Sequence, residues 1–228
     1  MVFAPTLPAN RPDRSRDGSG SSSGGFRDGL EASFQRRSLV HLAAGSTVPL
    51  LRNHLWLVVR GMVKLGALTI HGDELLLGLA GPNEPFGDPL VGVEAHHATT
   101  LCATDLMCFS LAEIRQQPEL AVALLDALSQ RHRQSQALLA LLGLRRVEER
   151  VRGFLELLAS EYGQPCEQGL LLDLRLTHQD MAGALATTRV TVTRVLGLLR
   201  EQGWLQLDER RRLVIAHLPR SGASTMGK

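Results

Sequence analysis

Residues 177–203 read THQDMAGALATTRVTVTRVLGLLREQG, and this stretch predicts two short helices joined by a tight turn. Thr177 is a good N-cap for the first helix, because its hydroxyl can accept a hydrogen bond from a free backbone N–H, and Asp180 has the spacing of a capping box. Thr187 or Thr188 offers a second N-cap at the start of the next helix. The stretch is therefore interpreted as a capped helix pair.

The second helix of this pair presents a polar front. Its apolar residues repeat at helical spacing on the opposite face, at Val192, Val195, Leu196 and Leu199. Arg189 and Arg194 stand at the front, with Val190 beside the first. Arginine can bind guanine O6 and N7 in a major groove, and a valine methyl can contact a thymine methyl. The pattern favours a DNA-binding surface over a surface helix that happens to carry two arginines.

Threonines near the two helix starts predict contacts with the DNA backbone. Thr187, Thr188 and Thr191 are expected to hold phosphates together with the N-terminus of the second helix. Thr177 and Thr193 complete the set of threonines assigned to this surface.

A short hairpin is predicted after the helix pair. Residues 204–207 and 213–216 are strand-like and flank the charged turn 208–211, which gives a wing beside the helices. Arg211 and Arg212 in this wing are expected to touch phosphate.

On these residues the chain resembles the superfamily of the cyclic-AMP receptor and the fumarate–nitrate regulator (Crp/Fnr), which are bacterial transcription factors. The run TRVTVTRVLGLLRE at 188–201 is similar to that of cyanobacterial nitrogen-control regulators, and a weaker resemblance covers 39–217. The family usually has glycine where this chain has Ala186, and alanine is strained there if the turn needs a positive φ.

The resemblance implies an α+β chain with an N-terminal β jelly-roll of the cyclic-nucleotide-binding type, a long dimerisation helix and a C-terminal winged helix-turn-helix. The N-terminal tail is rich in Pro, Arg, Asp, Ser and Gly and is expected to be disordered. Short apolar runs between turn signals then predict a sandwich or small barrel. The predicted segments are 1–33 (tail), 34–117 (jelly-roll effector-like domain), 118–146 (dimerisation helix and hinge), 147–218 (winged helix-turn-helix domain) and 219–228 (disordered tail).

Composition sets broad limits on function. The chain of 228 residues is 44% hydrophobic, which is enough for two modest domains. A net charge of +2 does not indicate nucleic-acid binding, but residues 177–220 hold seven arginines against four acids, and this local excess suits a phosphate backbone. The three cysteines are scattered, so reduced thiols are expected rather than the clustered ligands of an iron–sulfur sensor. The sequence predicts no secretory signal or membrane span, and hence a cytoplasmic location.

A dimer helix is predicted from Pro118 and Glu119, which are both helix-start signals. The apolar seam assigned to the interface comprises Leu124, Leu128, Leu138, Leu141 and Leu142. Polar residues in the middle of such a seam are typical of a parallel dimer, because they fix the register of the two helices although they lower the stability of the pair.

The resemblance implies an effector pocket, and its residues here are Phe86, Gly87, Asp88, Pro89, Leu90, His96, His97 and Arg131. Cyclic-nucleotide binders use a Gly-Glu pair for the ribose and an Arg-Ser pair for the phosphate, whereas this chain has Gly87-Asp88 and His96-His97. A mostly neutral imidazole is a poor substitute for a guanidinium. Nitrogen-control regulators bind 2-oxoglutarate, and here Pro89 lacks a backbone N–H while Asp88 adds a negative charge. Neither cyclic AMP nor 2-oxoglutarate is expected to bind.

Two of these assignments have alternatives. Arg131 matches a position that reaches the effector in nitrogen-control regulators, and it could equally be an exposed arginine on an amphipathic helix. His96 and His97 are interpreted as a polar loop rather than a metal site, because other ligands at suitable spacing are missing. No cofactor or metal is expected.

Three classes of function were compared. The sequence favours a homodimeric transcription regulator, with DNA, a second copy and RNA polymerase as partners, over a jelly-roll metalloenzyme or an interaction module without DNA. The eight histidines are scattered and no nucleophile–base pair is present, so no enzyme activity is expected.

The cyclic-AMP receptor has glutamate at the position of Val190 and reads TGTGA…TCACA. Nitrogen-control regulators share the run RVTVTR and read GTA…TAC, so the resemblance implies a GTA…TAC-like palindrome. An unknown metabolite, a partner protein or constitutive activity all stay open for control of the protein.

Overall fold

The computed structural model describes residues 38–216, so the two predicted tails lie outside it. The N-terminal strands are β1 (Val40–Leu42), β2 (His54–Arg60), β3 (Val63–Leu68), β4 (Glu74–Ala80), β5 (Pro85–Phe86), β6 (His96–Thr100) and β7 (Thr104–Ser110). They form two antiparallel sheets in the orders β1-β7-β2-β5 and β4-β3-β6. The predicted jelly-roll sandwich is confirmed.

Alternation along β2 gives the first sheet two apolar faces, because successive side chains of a strand point to opposite sides. Trp56 and Val58 pack between the two sheets, in the core of the sandwich. Leu55 and Leu57 point the other way and pack with Ile114 of the following helices. The sheet is therefore covered on its outer face by helices.

The helices are α1 (Leu111–Gln116), α2 (Pro118–Leu142), α3 (Val147–Tyr162), α4 (His178–Ala184) and α5 (Arg189–Glu201). Four more strands, β8 (Gln164–Cys166), β9 (Gly169–Leu172), β10 (Leu205–Leu207) and β11 (Leu213–Ala216), form an antiparallel sheet in the order β10-β11-β9-β8. The hairpin of β10 and β11 is the predicted wing. The fold is therefore α+β, with a jelly-roll, a long helix and a C-terminal winged helix-turn-helix.

The jelly-roll and the C-terminal unit share one apolar core. Met62, Leu76 and Leu79 of the jelly-roll belong to the same buried cluster as Phe154 of α3 and Leu185 beside α4. The position of the helix-turn-helix relative to the sandwich is thus fixed partly by apolar contacts.

An ion-pair cluster adds a polar contact between the two units. Lys64 Nζ lies 2.7 Å from Asp180 Oδ1 and 2.7 Å from Glu74 Oε1. Burial alone would lower the pKa of Lys64, but its hydrogen bonds to these two carboxylates raise it above its ordinary value. Next to this cluster, a Cβ on Gly183 would lie within 2.4 Å of the backbone oxygen of Glu74, so α4 can approach β4 only with glycine at this position.

Candidate nucleic-acid interface

The first helix of the pair, α4, begins with the predicted capping box. Thr177 Oγ1 accepts a hydrogen bond from the backbone N–H of Asp180 at 3.0 Å, and Asp180 Oδ2 accepts one from the backbone N–H of Thr177 at 2.8 Å. The Thr177 hydroxyl also donates to the same carboxylate at 2.7 Å. Its proton is therefore engaged within the chain, and the hydroxyl braces the helix start.

The joint between α4 and α5 has the strained backbone that the sequence suggested. Ala186 has a φ of +48°, in the left-handed region that favours glycine. Alanine in this conformation costs roughly 1–2 kcal/mol, because its Cβ crowds the following carbonyl. The family's usual glycine would relieve this strain.

We expect Ala186→Gly to raise the free energy of unfolding. The relief of strain is offset partly by the greater freedom of glycine in the unfolded chain, which leaves a net gain of about 0.5–1 kcal/mol. Urea unfolding would measure it, with Ala140→Gly as the control. Ala140 is an exposed residue of α2, where glycine should cost about 1 kcal/mol. Destabilisation of similar size in both variants would contradict the strain at the joint.

The second helix, α5, is capped and anchored so that its front stays exposed. Thr188 Oγ1 accepts a hydrogen bond from the backbone N–H of Thr191 at 3.2 Å. The four residues of its predicted apolar face are buried in the core, at Val192, Val195, Leu196 and Leu199. Arg189 and Arg194 are exposed, and the side chain of Val190 is 77% exposed. The structure therefore brings the three predicted base-contacting residues to one open surface.

His178 is a residue of this surface that the sequence interpretation missed. Its Nδ1 lies 2.8 Å from Thr193 Oγ1, and the Thr193 hydroxyl donates to the backbone oxygen of Arg189 at 2.9 Å. Because the Thr193 proton is already used, His178 Nδ1 must be the donor. This hydrogen bond links the start of α4 to the front of α5. The methyl group of Thr193 remains available for contact with DNA. The position of His178 directly after an N-cap was the available signal.

One of the two arginines predicted in the wing, Arg212, is held by acidic side chains of the chain itself. Asp208 Oδ2 accepts a hydrogen bond from Arg212 Nε at 2.7 Å, and Arg212 Nη1 lies 3.3 Å from Asp173 Oδ2. Arg212 therefore joins the turn of the wing to the segment that follows β9. Arg211 is exposed at the tip of the turn, with a φ of +61°. Of the two predicted phosphate contacts, Arg211 is the one that the structure leaves accessible.

A cleft lies between the wing and α4. Its polar lining includes Arg175, Arg210 and Arg211 together with His178. Arg175 and Arg210 were not in the predicted set, although Arg210 stands in the locally basic stretch at 177–220. The arrangement suits a phosphate backbone that passes between the helix pair and the wing.

The predicted effector residues are only partly brought together. Asp88, Pro89 and Leu90 form one turn of 3-10 helix. His96 Nε2 is buried 3.4 Å from Asp88 Oδ1, and His96 Nδ1 lies 2.6 Å from the backbone oxygen of Val93. An imidazole beside a carboxylate thus occupies the place that the resemblance assigns to phosphate recognition.

The other predicted effector residues serve the fold. Phe86 is buried in the core of the sandwich, and Leu90 packs against the helices on its outer face. His97 Nε2 lies 3.1 Å from Glu74 Oε1. Arg131 is half-buried, and its Nη1 donates to the backbone oxygen of Leu79 at 3.3 Å, so the alternative of an exposed surface arginine is wrong. Burial lowers its pKa from the ordinary value.

The structure shows that several leucines of the predicted dimer seam pack within the chain. Leu124 packs against the outer face of the first sheet and Ile114 of α1, and Leu138 and Leu141 pack into the core shared with the C-terminal unit. These three leucines therefore make packing contacts within their own chain. The exposed face of α2 is a different one, which we call the outer seam, and its residues follow a 3-4 spacing at Val122, Leu125, Ser129, His132, Gln136 and Leu139.

Within residues 38–216, no three His, Cys, Asp or Glu side chains are grouped so that they could hold a metal ion. None of the described helices is long and apolar enough to cross a bilayer.

Comparison with known proteins identifies the family. Residues 149–220 match the Crp-like helix-turn-helix domain. The chain is 32% identical over 174 residues to the global nitrogen regulator of Nostoc sp. PCC 7120, covering 72% of this chain and 77% of the relative. It is 34% identical over 166 residues to the global nitrogen regulator of Synechococcus elongatus PCC 7942, covering 69% and 75%, respectively.

Two solved structures share the fold. A CRP-family transcriptional regulator of Thermus thermophilus superimposes with a TM-score of 0.65 at 23% identity, over 78% of this chain and 92% of that one. FixK2 of Bradyrhizobium japonicum gives a TM-score of 0.67 at 19% identity, over 79% and 93%. Together with the exposed, capped helix pair, these relationships show that the chain belongs to the Crp/Fnr family of DNA-binding transcription regulators.

Proposed function

We propose that this protein is a homodimeric transcription regulator that reads a two-fold symmetric promoter site through α5, without needing cyclic AMP or 2-oxoglutarate. The observation that carries the proposal is the open front of α5. Arg189, Val190 and Arg194 are exposed there, on a helix whose opposite face is buried in the core.

The choice of DNA sequence follows from these three side chains. Arg189 and Arg194 can each make paired hydrogen bonds to guanine, and Val190 can pack on a thymine methyl but cannot accept a bond from cytosine. The run RVTVTR is similar to that of nitrogen-control regulators, whose curated members are among the relatives of this chain. A GTA…TAC-like palindrome is the site that fits, with half-sites about one helical turn apart.

Dimerisation is proposed through the outer seam of α2. Val122, Leu125 and Leu139 are each more than 60% exposed, which is unusual for large apolar side chains at regular spacing. Ser129, His132 and Gln136 stand between them at seam positions. A parallel pair of helices would cover the apolar residues, and the polar middle would fix the register.

Independence from the two family effectors rests on the geometry around His96. The guanidinium that would pair with a phosphate or carboxylate is replaced by an imidazole, and Asp88 lies beside it.

RNA polymerase is the natural protein partner of a promoter-bound regulator, and catalysis is not part of the proposal.

One observation favours a second candidate, a regulator that senses a different metabolite. The bond from His96 Nδ1 to a carbonyl oxygen places the proton on Nδ1, so the buried Nε2 is an acceptor in the neutral ring. With the carboxylate of Asp88 nearby, this corner offers acceptors and would suit a ligand that carries N–H or ammonium donors rather than an anion.

Selection of binding sites from a random duplex pool tests the proposed function. Purified protein without any added small molecule should enrich GTA…TAC-like palindromes. Enrichment only after addition of cyclic AMP or 2-oxoglutarate would contradict independence from these effectors, and a final pool without a shared motif would contradict specific reading of DNA.

The wing should contribute affinity without specificity. We expect Arg211→Gly to weaken binding to all duplexes alike and to reduce the slope of log Kd against log salt by about 1, because one phosphate contact is lost. Glycine suits the positive φ at this position, so the wing should keep its shape. Arg212→Gln is the matched comparison, and its main effect should be a less stable wing. A larger change of salt slope for Arg212→Gln than for Arg211→Gly would reverse the assignment.

A further inference from the structure

A buried polar cluster lies where α2, α3 and the segment between β4 and β5 meet. Gln134 of α2 is at its centre and is only 5% exposed. Its Nε2 donates hydrogen bonds to Glu161 Oε2 at 2.6 Å and to the Tyr162 hydroxyl at 2.8 Å. Its Oε1 accepts one from the backbone N–H of Leu79 at 3.3 Å. One side chain thus links the long helix, the end of α3 and a strand of the jelly-roll.

The tyrosine extends the link to a second carboxylate. The Tyr162 hydroxyl donates to Glu84 Oε2 at 2.9 Å, and the same oxygen accepts a hydrogen bond from the backbone N–H of Gly81 at 2.7 Å. We call this cluster the Gln134 junction, and its side chains are Glu84, Arg131, Gln134, Glu161 and Tyr162.

Two glycines of the jelly-roll make room for the junction. A Cβ on Gly78 would lie 2.9 Å from Gln134 Oε1, and a Cβ on Gly81 would lie 2.8 Å from a ring carbon of Tyr162. Contacts this short do not occur between real side chains, so a larger residue at Gly78 would displace the Gln134 side chain of α2, and one at Gly81 would displace the Tyr162 ring of α3. The jelly-roll side of the interface therefore allows the close approach of Gln134 and Tyr162.

The charges of the junction do not balance. Glu84 and Glu161 are both acidic, while Arg131 is the basic side chain that approaches them, and its Nη1 is used on the backbone oxygen of Leu79. The pKa of Glu161 is raised to about 7, chiefly by burial and in smaller part by the negative charge of Glu84, while the hydrogen bond from Gln134 and the positive charge of Arg131 act in the opposite direction. Burial and the neighbouring carboxylates also raise the pKa of Tyr162, so the phenol stays protonated near neutral pH.

We propose that the Gln134 junction is a proton-operated lock, in which protonation of Glu161 holds the helix-turn-helix unit in its docked position against the jelly-roll. A neutral carboxyl can stay in this half-buried site beside Glu84, whereas a carboxylate gains hydration when the two units separate. The docked arrangement leaves the front of α5 uncovered and is therefore compatible with DNA binding.

The sign of the pH dependence follows from the two states of Glu161. In the separated form the carboxyl is in water, with its ordinary pKa of 4.5, whereas in the docked form its pKa is about 7. Docking is therefore strongest below the lower value and weakens as the pH rises through the window between the two. A single proton changes the docking equilibrium by at most about tenfold per pH unit.

A spectroscopic experiment tests the lock without DNA. Tyr162 is the one tyrosine of the 228-residue chain, so tyrosine labelled with 13C at Cζ gives one resonance from the junction itself. In the full-length wild type this resonance should titrate between pH 5.5 and 8.5 with a midpoint near 7. Glu161→Gln, which mimics the neutral carboxyl, should hold it at its low-pH position.

Glu156→Gln is the matched control. It makes the same change on the same helix, at an exposed carboxylate that pairs with Arg152 on the surface, and it should titrate like the wild type. A wild-type resonance that does not move over this range would overturn the proposal, and so would unchanged titration in Glu161→Gln.

A second arm links the lock to DNA and rests on the proposed function. At constant salt, the affinity of the wild type for a GTA…TAC duplex, relative to that of Glu161→Gln, should fall between pH 5.5 and pH 8 by up to about 30-fold, because this range crosses the upper pKa of about 7. An affinity ratio that stays constant over this range would overturn the role of the lock in DNA binding. Titration of the tyrosine resonance without selective DNA binding would instead contradict the proposed function and leave the proton-operated docking intact.

Discussion

Leu125→Glu is expected to convert the protein from dimer to monomer and to abolish specific DNA binding. Leu125 is 63% exposed on the outer seam of α2. Each large apolar side chain that is fully covered by a partner contributes about 1.5–3 kcal/mol, and a two-fold interface buries each residue twice. A glutamate in each chain would replace these contacts with like charges in close proximity.

The loss of affinity for DNA should be large, because one dimer binds both half-sites. Separation of the subunits removes the gain from linked binding, which is typically about 100- to 10,000-fold. Light scattering gives the mass, and fluorescence anisotropy on the palindromic duplex gives the affinity. Leu51→Glu is the control, since Leu51 is also exposed but lies in the loop before β2, far along the chain from the seam.

A leucine of the seam predicted from the sequence should behave differently. Leu141 is 8% exposed and belongs to the core shared with α3. We expect Leu141→Ala to lower the free energy of unfolding by about 2–5 kcal/mol while the protein remains a dimer. A dimer that survives Leu125→Glu but dissociates with Leu141→Ala would place the interface on the other face of α2.

The second large effect is expected from Val190→Glu, which should move the sequence preference from GTA…TAC towards TGTGA…TCACA. Valine contacts a thymine methyl, whereas a glutamate accepts a hydrogen bond from the cytosine amine. Each such contact contributes about 1–3 kcal/mol to binding, and it occurs in both half-sites of the palindrome. The front of α5 is exposed at this position, so the substitution should not disturb the fold.

Competition between the two duplexes measures this shift. Val190→Thr is the matched control, because threonine has nearly the same shape and keeps one methyl, so the GTA…TAC preference should persist. If Val190→Glu leaves the preference unchanged, Val190 does not read a base, and the similarity to nitrogen-control regulators does not extend to the recognised sequence.

Local features of the helix pair could be predicted from the sequence because they depend on neighbours along the chain. The capping box of Thr177 and Asp180 and the buried face of α5 follow from spacings of four residues or fewer, whereas the positive φ of Ala186 was suggested by the resemblance, because the family usually has glycine there. The sandwich was predicted in the same way, from short apolar runs and turn residues.

Features that join distant parts of the chain could not be read from the sequence. Arg212 was expected to touch phosphate, and only the fold shows that Asp173 and Asp208 hold it. The Gln134 junction likewise combines Glu84, Gln134 and Glu161 from three separate segments.

The seam of α2 illustrates a different limit. This helix carries leucines on more than one face, so periodicity alone does not tell which face the chain covers with its own residues. Leu138 and Leu141 satisfy a seam pattern as well as Leu125 and Leu139 do. Only the burial of the first pair in the shared core distinguishes the two.

Binding of the wild type to a GTA…TAC duplex and to a scrambled duplex of the same composition tests the central claim most directly. The measurement is made at one salt concentration and without any small molecule. A dimer that reads both half-sites should prefer the palindrome by about 1,000-fold or more, as sequence-specific regulators do. Equal affinity for the two duplexes would contradict sequence-specific recognition by α5.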